Sequence, residues 1–244
     1  MSEVLDKLRD DEHYYGEFGR QYLSNSDIRA LLTDPTSFGK GSDDNPVFAK
    51  GRYFHQSILE PEKAKDFEFC SVSSRNTSAY KEAVKSSGKP FLLLEKEILE
   101  IDSWVRTMMR NVELFELIRS DSAKYEVPAV GEIAGLWWKG KADIETDDCL
   151  LDLKTTGDIQ KFRYSAVSYN YDSQAYIYQQ LFGKPLEFIA IDKTTQVMGR
   201  FSCSDAFLQR GKEKVESAVE VYNKYFNKAT ATHNIEDFII TDTL

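Results

Sequence analysis

Two aspartates and a lysine lie close together in the segment KADIETDDCLLDLKTTGDIQKF, which runs from Lys141 to Phe162. Asp152 follows Asp143 by nine positions, and Lys154 comes two positions after Asp152. Carboxylates are ligands of Mg²⁺, and a lysine beside such a site can stabilise the charge that develops on a phosphate. The three residues therefore indicate metal-dependent phosphate chemistry. An exposed hairpin with solvated charges would explain the same spacing without any function.

The residues around these three alternate between apolar and polar, which predicts two β-strands joined by a turn through residues 145–148. Neighbouring side chains of a strand point to opposite faces, so Asp152 and Lys154 share one face while the leucines beside them face the core. In the preceding strand, Ala142 and Ile144 are expected to face inward and Asp143 outward. The turn then brings Asp143 beside Asp152, where both can bind one cation.

Three more residues are candidates for the same site. Gln174 and Tyr178 are four positions apart on a predicted helix, so they share a face and could contact a phosphate or a base edge. An amphipathic surface helix is the alternative. His55 lies in an apolar helix, where a histidine is usually a core residue with its ring satisfied, although a neutral imidazole can also complete a carboxylate metal site. Gly51, four residues earlier, is expected to let a strand pass close.

The periodicity of the whole chain predicts helices, then a mostly antiparallel sheet with an inserted helix, then a C-terminal helix. A short strand is expected at residues 91–94. It is followed by one long amphipathic helix with an apolar face of Trp104, Met108, Val112, Phe115 and Ile118. Strands fill most of residues 125–200, and the inserted helix ends at Gly183. Residues 1–20 are expected to form an N-terminal arm and residues 21–244 a single domain.

Composition limits the classes of function. The 244 residues carry a net charge of −9, which argues against a simple electrostatic DNA binder, although a cleft can still focus a positive local field. No apolar run has the length of a membrane span, and the start lacks the pattern of a signal peptide, so we expect a cytoplasmic protein without a membrane partner. Cys70, Cys149 and Cys203 are too scattered for an iron–sulfur cluster and are expected to pack as small hydrophobes.

Taken in order, the G-x-x-x-H from Gly51 to His55, then Glu132, Asp143, Asp152-Leu153-Lys154 and Gln174-x-x-x-Tyr178, resemble the PD-(D/E)XK nuclease superfamily. Within it the chain resembles the RecE-type exonucleases of phages and prophages, the exodeoxyribonuclease VIII group, over about residues 20–226. The segments YLSNSDIRALLTDP, GRYFHQSILEPEKAKDF and LDLKTTGDIQKFRYSAVSYNYDSQAYIYQQLFG carry the resemblance. Two positions depart from the superfamily pattern: Ala142 stands where proline is usual, and Asp152 replaces the commoner glutamate.

The resemblance implies an α/β fold with a restriction-endonuclease-like core, in which helices flank a central mixed sheet, and with N-terminal helical additions. It implies that residues 21–244 are a single PD-(D/E)XK exonuclease domain. It also implies roles for site residues. The metal ligands would be His55, Asp143, Asp152 and the Leu153 carbonyl, with Glu132 as an additional acid; Lys154 would be the catalytic lysine, and Gln174 and Tyr178 the motif that completes the catalytic site.

The same resemblance implies a Mg²⁺-dependent exonuclease, in which Mn²⁺ can substitute, with no iron–sulfur cluster. It would digest one strand of double-stranded DNA from an end, 5′→3′, and leave single strand for a partner annealing protein in phage recombination. A homo-oligomeric ring around the duplex is a further expectation. The residues expected to contact the DNA backbone are Thr155 and Thr156, in the turn after Lys154, and Lys161 and Arg163 beyond it; solvation alone also explains the two basic residues.

Three alternatives stay open from the sequence. An endonuclease or a flap nuclease could use the same core and the same residues. A DNA-binding or partner-binding module could keep the fold without turnover, although the complete set of acids and Lys154 argues against that. An acidic protein with no nucleic-acid role is the third. Linear and closed circular duplex, each tested with Mg²⁺ and with EDTA, would separate these functions.

Overall fold

The structure is a computed structural model that describes residues 2–41 and 44–240. Residue 1 of the predicted arm and residues 42, 43 and 241–244 of the predicted domain lie outside the described residues. The division into an arm and one domain at residue 20 stays a prediction. Within the described residues, every helix is too short or too polar to cross a bilayer.

Helices make up most of the N-terminal half and both flanks of the sheet. In chain order they are α1 (Ser2–Leu8), α2 (Asp11–Tyr15), α3 (Asn25–Thr33), α4 (Pro46–Leu59), α5 (Pro61–Lys65), α6 (Ser78–Ser87), α7 (Glu95–Arg110), α8 (Val112–Ile118), α9 (Phe162–Ser168), α10 (Tyr171–Phe182) and α11 (Asp205–Tyr225). Short 3₁₀ helices cover Gly19–Gln21, Pro35–Ser37, Ile159–Lys161 and Ile235–Asp237.

The strands form one large sheet and one small one. The small sheet pairs β1 (Phe69–Cys70) with β2 (Leu93–Leu94) in parallel. The large sheet has the order β3 (Lys124–Ile133), β4 (Leu136–Glu145), β5 (Leu150–Thr156), β6 (Leu186–Asp192) and β7 (Met198–Ser202). All its neighbours are antiparallel except β5 and β6, which run parallel because α9 and α10 carry the chain across between them. The predicted mixed sheet flanked by helices is confirmed.

Apolar side chains cover both faces of the large sheet. On one face, Leu150 and Phe188 pack with residues from α3, α9, α10 and α11. On the other face, Leu151 and Leu153 pack with residues from α4, α7 and α8, as the alternation in β5 predicts. The sheet is therefore a middle layer, and a polar residue of its central strands becomes buried whichever way it points.

The prediction of one long helix that continues through Ile118 is wrong, because the helix is interrupted at Asn111. That residue is extended (φ −73°, ψ 115°), and its side chain accepts a hydrogen bond of 3.0 Å from the Leu114 amide, so it caps α8. Asparagine is favoured at such a cap because its side chain satisfies an amide at the start of a helix. As a result Val112 is 69% exposed instead of lying on the apolar face. The predicted strand at 91–94 is shorter than expected and covers only Leu93–Leu94.

Helix α4 has clear start and stop signals in the sequence. Asn45 caps it by accepting hydrogen bonds from the amides of Val47 and Phe48, and Pro46 occupies its first turn. The fixed φ of proline suits that first turn, where its missing amide proton costs nothing. The helix ends two residues before Pro61. It therefore presents His55 to the sheet in a defined orientation.

Candidate active site

The hairpin of β4 and β5 is paired only at its closed end. Ile144 lies opposite Leu151, Glu145 lies opposite Leu150, and these are the two pairs between the strands as described. Farther along, the Asp143 carboxylate reaches across, and its Oδ2 accepts a hydrogen bond of 2.7 Å from the Leu153 amide. The separation of the strands thus lets a side chain enter between them and brings Asp143 beside the segment 152–154.

The prediction that Ala142 and Ile144 share the inward face of β4 is wrong. Ala142 packs in the cluster on the α10 side of the sheet, and Ile144 packs in the cluster on the α4 side. The switch falls at Asp143, opposite Glu126, whose φ of +51° is unusual for a residue other than glycine. Asp143 is accordingly 8% exposed and Asp152 2% exposed, so neither faces solvent as an outward strand position would.

His55 has a carboxylate partner. Its Nδ1 lies 3.3 Å from Asp143 Oδ2, and its side chain is 29% exposed. Burial alone would lower the pKa of His55, but the negative charge and hydrogen bond of Asp143 outweigh burial and raise it above the ordinary value. Burial likewise favours a higher pKa for Asp143, yet His55, Lys154 and the Leu153 amide hold the pKa of that carboxyl below its usual range. The two groups therefore stabilise each other as an ion pair.

Asp152 is held between a cation and an amide. The Lys154 ammonium pairs with Asp152 Oδ1, and Gln174 Nε2 donates a hydrogen bond of 2.5 Å to Oδ2. Burial raises the pKa of Asp152, and the nearby charge of Asp143 adds to that effect against the attraction of Lys154. Burial would lower the pKa of Lys154, but Asp152, Tyr171 and Asp143 raise it well above the ordinary value, so the lysine stays charged.

Tyr178 contacts the backbone of β4. Its hydroxyl donates to the Lys141 carbonyl at 2.9 Å and accepts from the Lys141 amide at 3.3 Å. The ring lies against Gly140, where a Cβ would stand only 2.9 Å from Tyr178 Cε1. Gln174 and Tyr178 do share one face of α10, as predicted, but that face is turned toward the sheet. Both residues are 8% exposed, and they tie α10 to the strands that carry the acids.

The expectation for Gly51 is wrong, because a Cβ added at this residue would meet no atom within 4 Å. Among the described residues, therefore, no strand passes close to Gly51. Gly51 lies one helical turn before His55 in α4, so the two residues share one side of the helix.

The predicted DNA-contact residues follow Lys154 directly. Thr155, Thr156 and Lys161 line one pocket at the end of β5, together with residues of α9 and the segment after it. Arg163 is exposed on α9, and its guanidinium lies 4.9 Å from the centre of the Tyr164 ring. Three of the four residues are thus brought together, and Arg163 lies outside that pocket lining.

Glu132 is not brought to the site. It is exposed near the closed end of the β3–β4 hairpin and lies opposite Trp137, whereas Asp143 faces the position of Glu126, six residues earlier in β3. At a rise of about 3.4 Å per residue, six residues correspond to roughly 20 Å along the strand. Glu126 is the acid that the sheet places beside Asp143.

Glu126 is a functional candidate that the sequence-based prediction missed. Its Oε2 lies 3.6 Å from the ammonium of the buried Lys141. Burial, followed by the negative charge of Asp143, raises the pKa of Glu126 to about 7. Backbone strain at a non-glycine residue beside perturbed acids is typical of functional sites. Counting the register of the β3–β4 hairpin back from its turn would have identified Glu126.

We predict that Glu126→Gln lowers Mn²⁺ affinity by about 10-fold, the scale on which neighbours of metal ligands tune a site. The physical reason is the loss of negative charge next to Asp143. Glu132→Gln is the matched control: it makes the same chemical change on the same strand and should leave the affinity unchanged. Calorimetric titration of the two variants measures both. Equal losses in the two variants, or no loss in either, would contradict the placement of Glu126.

The donor set suits a hard divalent cation. Within residues 2–41 and 44–240, no three His, Cys, Asp or Glu side chains lie close enough together to form a ready-made metal site. Asp152 Oδ1, however, is buried, and its partner is the ammonium of Lys154. A buried carboxylate oxygen that already accepts one cation has the chemistry of a ligand for a divalent ion. His55, Asp143, Asp152 and the Leu153 carbonyl are the residues that would hold the ion.

Comparisons with known proteins identify the family and the fold of the chain. Residues 30–237 match a family model described as a PDDEXK-like domain of unknown function (DUF3799). No curated protein matched the sequence.

Two solved structures are similar in different degrees. A protein from Eubacterium rectale, to which an exonuclease activity has been assigned provisionally, gives a TM-score of 0.65 at 16% identity, with 96% of this chain and 95% of that chain covered. At this identity the likeness shows the fold alone. An alkaline exonuclease from Laribacter hongkongensis gives a TM-score of 0.34 at 10% identity, with 91% of this chain and 92% of that chain covered.

Proposed function

The chain belongs to the PDDEXK-like family DUF3799, and we propose that it is a Mg²⁺-dependent exodeoxyribonuclease that hydrolyses one strand of linear double-stranded DNA from an end. One observation carries the proposal: Asp143, Asp152 and Lys154 meet where β4 and β5 separate, and His55 lies against Asp143. The provisional description of the Eubacterium rectale protein supports the exonuclease class.

The chain's own groups have distinct tasks in this proposal. A divalent cation held by the acids would supply positive charge to the scissile phosphate and lower the pKa of a bound water. Lys154 remains charged and can stabilise negative charge on the phosphate as it develops. Gln174 and Tyr178 fix Asp152 and β4 from α10, so they position the acids. His55 and Asp143 form a second anchoring pair on the α4 side.

The finer features of the proposal rest on the family resemblance. They are 5′→3′ polarity, delivery of single strand to an annealing protein for recombination, a homo-oligomeric ring around the duplex, and a cytoplasmic location, which is the host cytoplasm if the protein is phage-encoded. Mn²⁺ is proposed as a substitute for Mg²⁺. Thr155, Thr156, Lys161 and Arg163 are proposed to contact the DNA backbone next to the cut.

We expect the purified protein to degrade end-labelled linear duplex in Mg²⁺, to leave closed circular duplex intact, and to lose all activity in EDTA. The acids require a cation because two carboxylates alone repel a phosphate. Gel analysis of both substrates measures this. Comparable cutting of the circular DNA would indicate an endonuclease instead. Binding of linear duplex without cutting in Mg²⁺ would indicate an inactive module.

A further inference from the structure

A pocket of about 280 Å³ lies directly beyond Lys154, and the candidate catalytic residues do not line it. It is lined by Thr155, Thr156, Gly157, Asp158, Lys161, Phe162, Ser165, Tyr169, Tyr171 and Lys193. We call it the tyrosine pocket after Tyr169 and Tyr171. Its size is near the lower end for small-ligand pockets, so it can take one nucleotide but not a duplex.

The pocket combines positive charge with aromatic surface. Lys161 and Lys193 face one acid, Asp158, in a chain whose net charge is −9. The Lys161 ammonium lies 3.2 Å from Asp158, but its side chain is 76% exposed, so the pair is weak and the ammonium remains available. Lysines that track a phosphate beside aromatic rings that stack on bases are the usual means of holding single-stranded nucleic acid.

Tyr169 supplies the free aromatic surface. Its side chain is 62% exposed, and its ring centre lies 6.0 Å from that of Tyr171 at a tilt of 36°. Tyr171, by contrast, is fixed: its ring stacks on Phe188 with centres 5.3 Å apart. The pocket therefore has one rigid aromatic wall and one exposed ring beside it.

Tyr171 also joins the pocket to the catalytic site. The Lys154 ammonium lies 4.7 Å from the centre of the Tyr171 ring, a cation–π contact. Thr155 and Thr156 follow Lys154 in β5 and line the pocket. A nucleotide in the pocket would consequently be the neighbour of a phosphate held at Asp152 and Lys154.

We propose that the tyrosine pocket holds one unpaired nucleotide of the strand being cut, with its base stacked on Tyr169 and its phosphate near Lys161 and Lys193. This inference rests on the proposed function and names the part of the substrate that reaches beyond the scissile phosphate. A paired base cannot enter, so the terminal base pair must open before the strand is cut.

The test measures binding of a fluorescein-labelled single-stranded oligonucleotide in EDTA by anisotropy, so that no cleavage occurs. Tyr169→Ala should weaken binding about 10-fold, the scale of one base–aromatic stack, and Tyr169→Phe should retain the wild-type affinity. Tyr164→Ala is the matched control, because Tyr164 is 61% exposed in α9 and lies outside the pocket lining. Equal affinities for the alanine variants of Tyr169 and Tyr164 would overturn the proposal.

A second binding experiment identifies which base of the oligonucleotide occupies the tyrosine pocket. Oligonucleotides with a single abasic site are scanned position by position, and one position should weaken wild-type binding by about the same factor as Tyr169→Ala. At that position the abasic site should have no further effect in Tyr169→Ala. If no abasic position weakens binding, and only Lys161→Ala and Lys193→Ala lower the affinity, the pocket is a phosphate site and the base-stacking assignment is overturned. Because binding is measured without metal, the pocket and the proposed hydrolysis can each fail independently.

Discussion

Hydrolysis of linear duplex DNA should fall by about 1000-fold or more in Asp152→Asn, because losing a metal-ligand charge removes several kcal/mol of transition-state stabilisation. Asp152 is a proposed metal ligand, and a neighbouring side chain holds its carboxylate in place. Its buried Oδ1 pairs with the Lys154 ammonium and is the oxygen proposed to bind the cation, and its Oδ2 is fixed by Gln174 at 2.5 Å. Asparagine keeps the size of the side chain and one oxygen but loses the charge. Single-turnover assays with end-labelled duplex in Mg²⁺ measure the loss.

The substitution should also lower the unfolding free energy, because Asp152 is only 2% exposed. An outward strand position would have placed it on the surface. Removing its charge leaves the Lys154 ammonium with weaker compensation, which costs roughly 1–3 kcal/mol of unfolding free energy. Thermal melting therefore accompanies the assay. Asp148→Asn is the matched control, because it makes the same change in the exposed turn of the same hairpin. It should change neither the rate of hydrolysis nor the melting temperature. Normal turnover by a folded Asp152→Asn protein would refute the proposed site.

Lys154→Ala should lower the rate by about 100-fold or more, the effect of losing one charge-stabilising group, without loss of metal binding. The ammonium pairs with Asp152 Oδ1, so it competes with a cation for that oxygen. Mn²⁺ affinity should accordingly stay the same or rise in the variant. Calorimetric titration and single-turnover kinetics on the same protein preparation separate the two effects.

Lys154→Met is the companion variant for the same prediction. Methionine restores most of the apolar stem that packs beside Tyr171 and Phe188, where the ammonium lies 4.7 Å and 5.9 Å from the ring centres. It should therefore keep the packing of the wild type, although the buried Asp152 carboxylate loses its cation and stability falls, and it should be as slow as Lys154→Ala. A collapse of Mn²⁺ binding in Lys154→Met would show that the lysine maintains the structure of the site and has no direct part in the chemistry.

The local elements of this fold could be predicted because their signals are short-range. Strand alternation in residues 150–156 predicts which leucines share a face, and Leu151 and Leu153 pack together in the cluster on the α4 side of the sheet. Proline and cap residues predict the limits of α4. The order of His55, Asp143, Asp152 and Lys154 is enough to suggest the family, because those side chains must appear in that sequence for the fold to bring them together.

The tertiary structure alone decided how the candidate site is built. Alternation along a strand says which residues share a face, but it does not say what covers that face. Here α10 covers Asp152 through Gln174, 22 residues away in sequence, and α4 covers Asp143 through His55. The choice of acid in β3 depends on strand register, which places Glu126 opposite Asp143 and Glu132 opposite Trp137. Register and layer packing arise from contacts between distant segments, whereas residue periodicity reports only the geometry of each segment by itself.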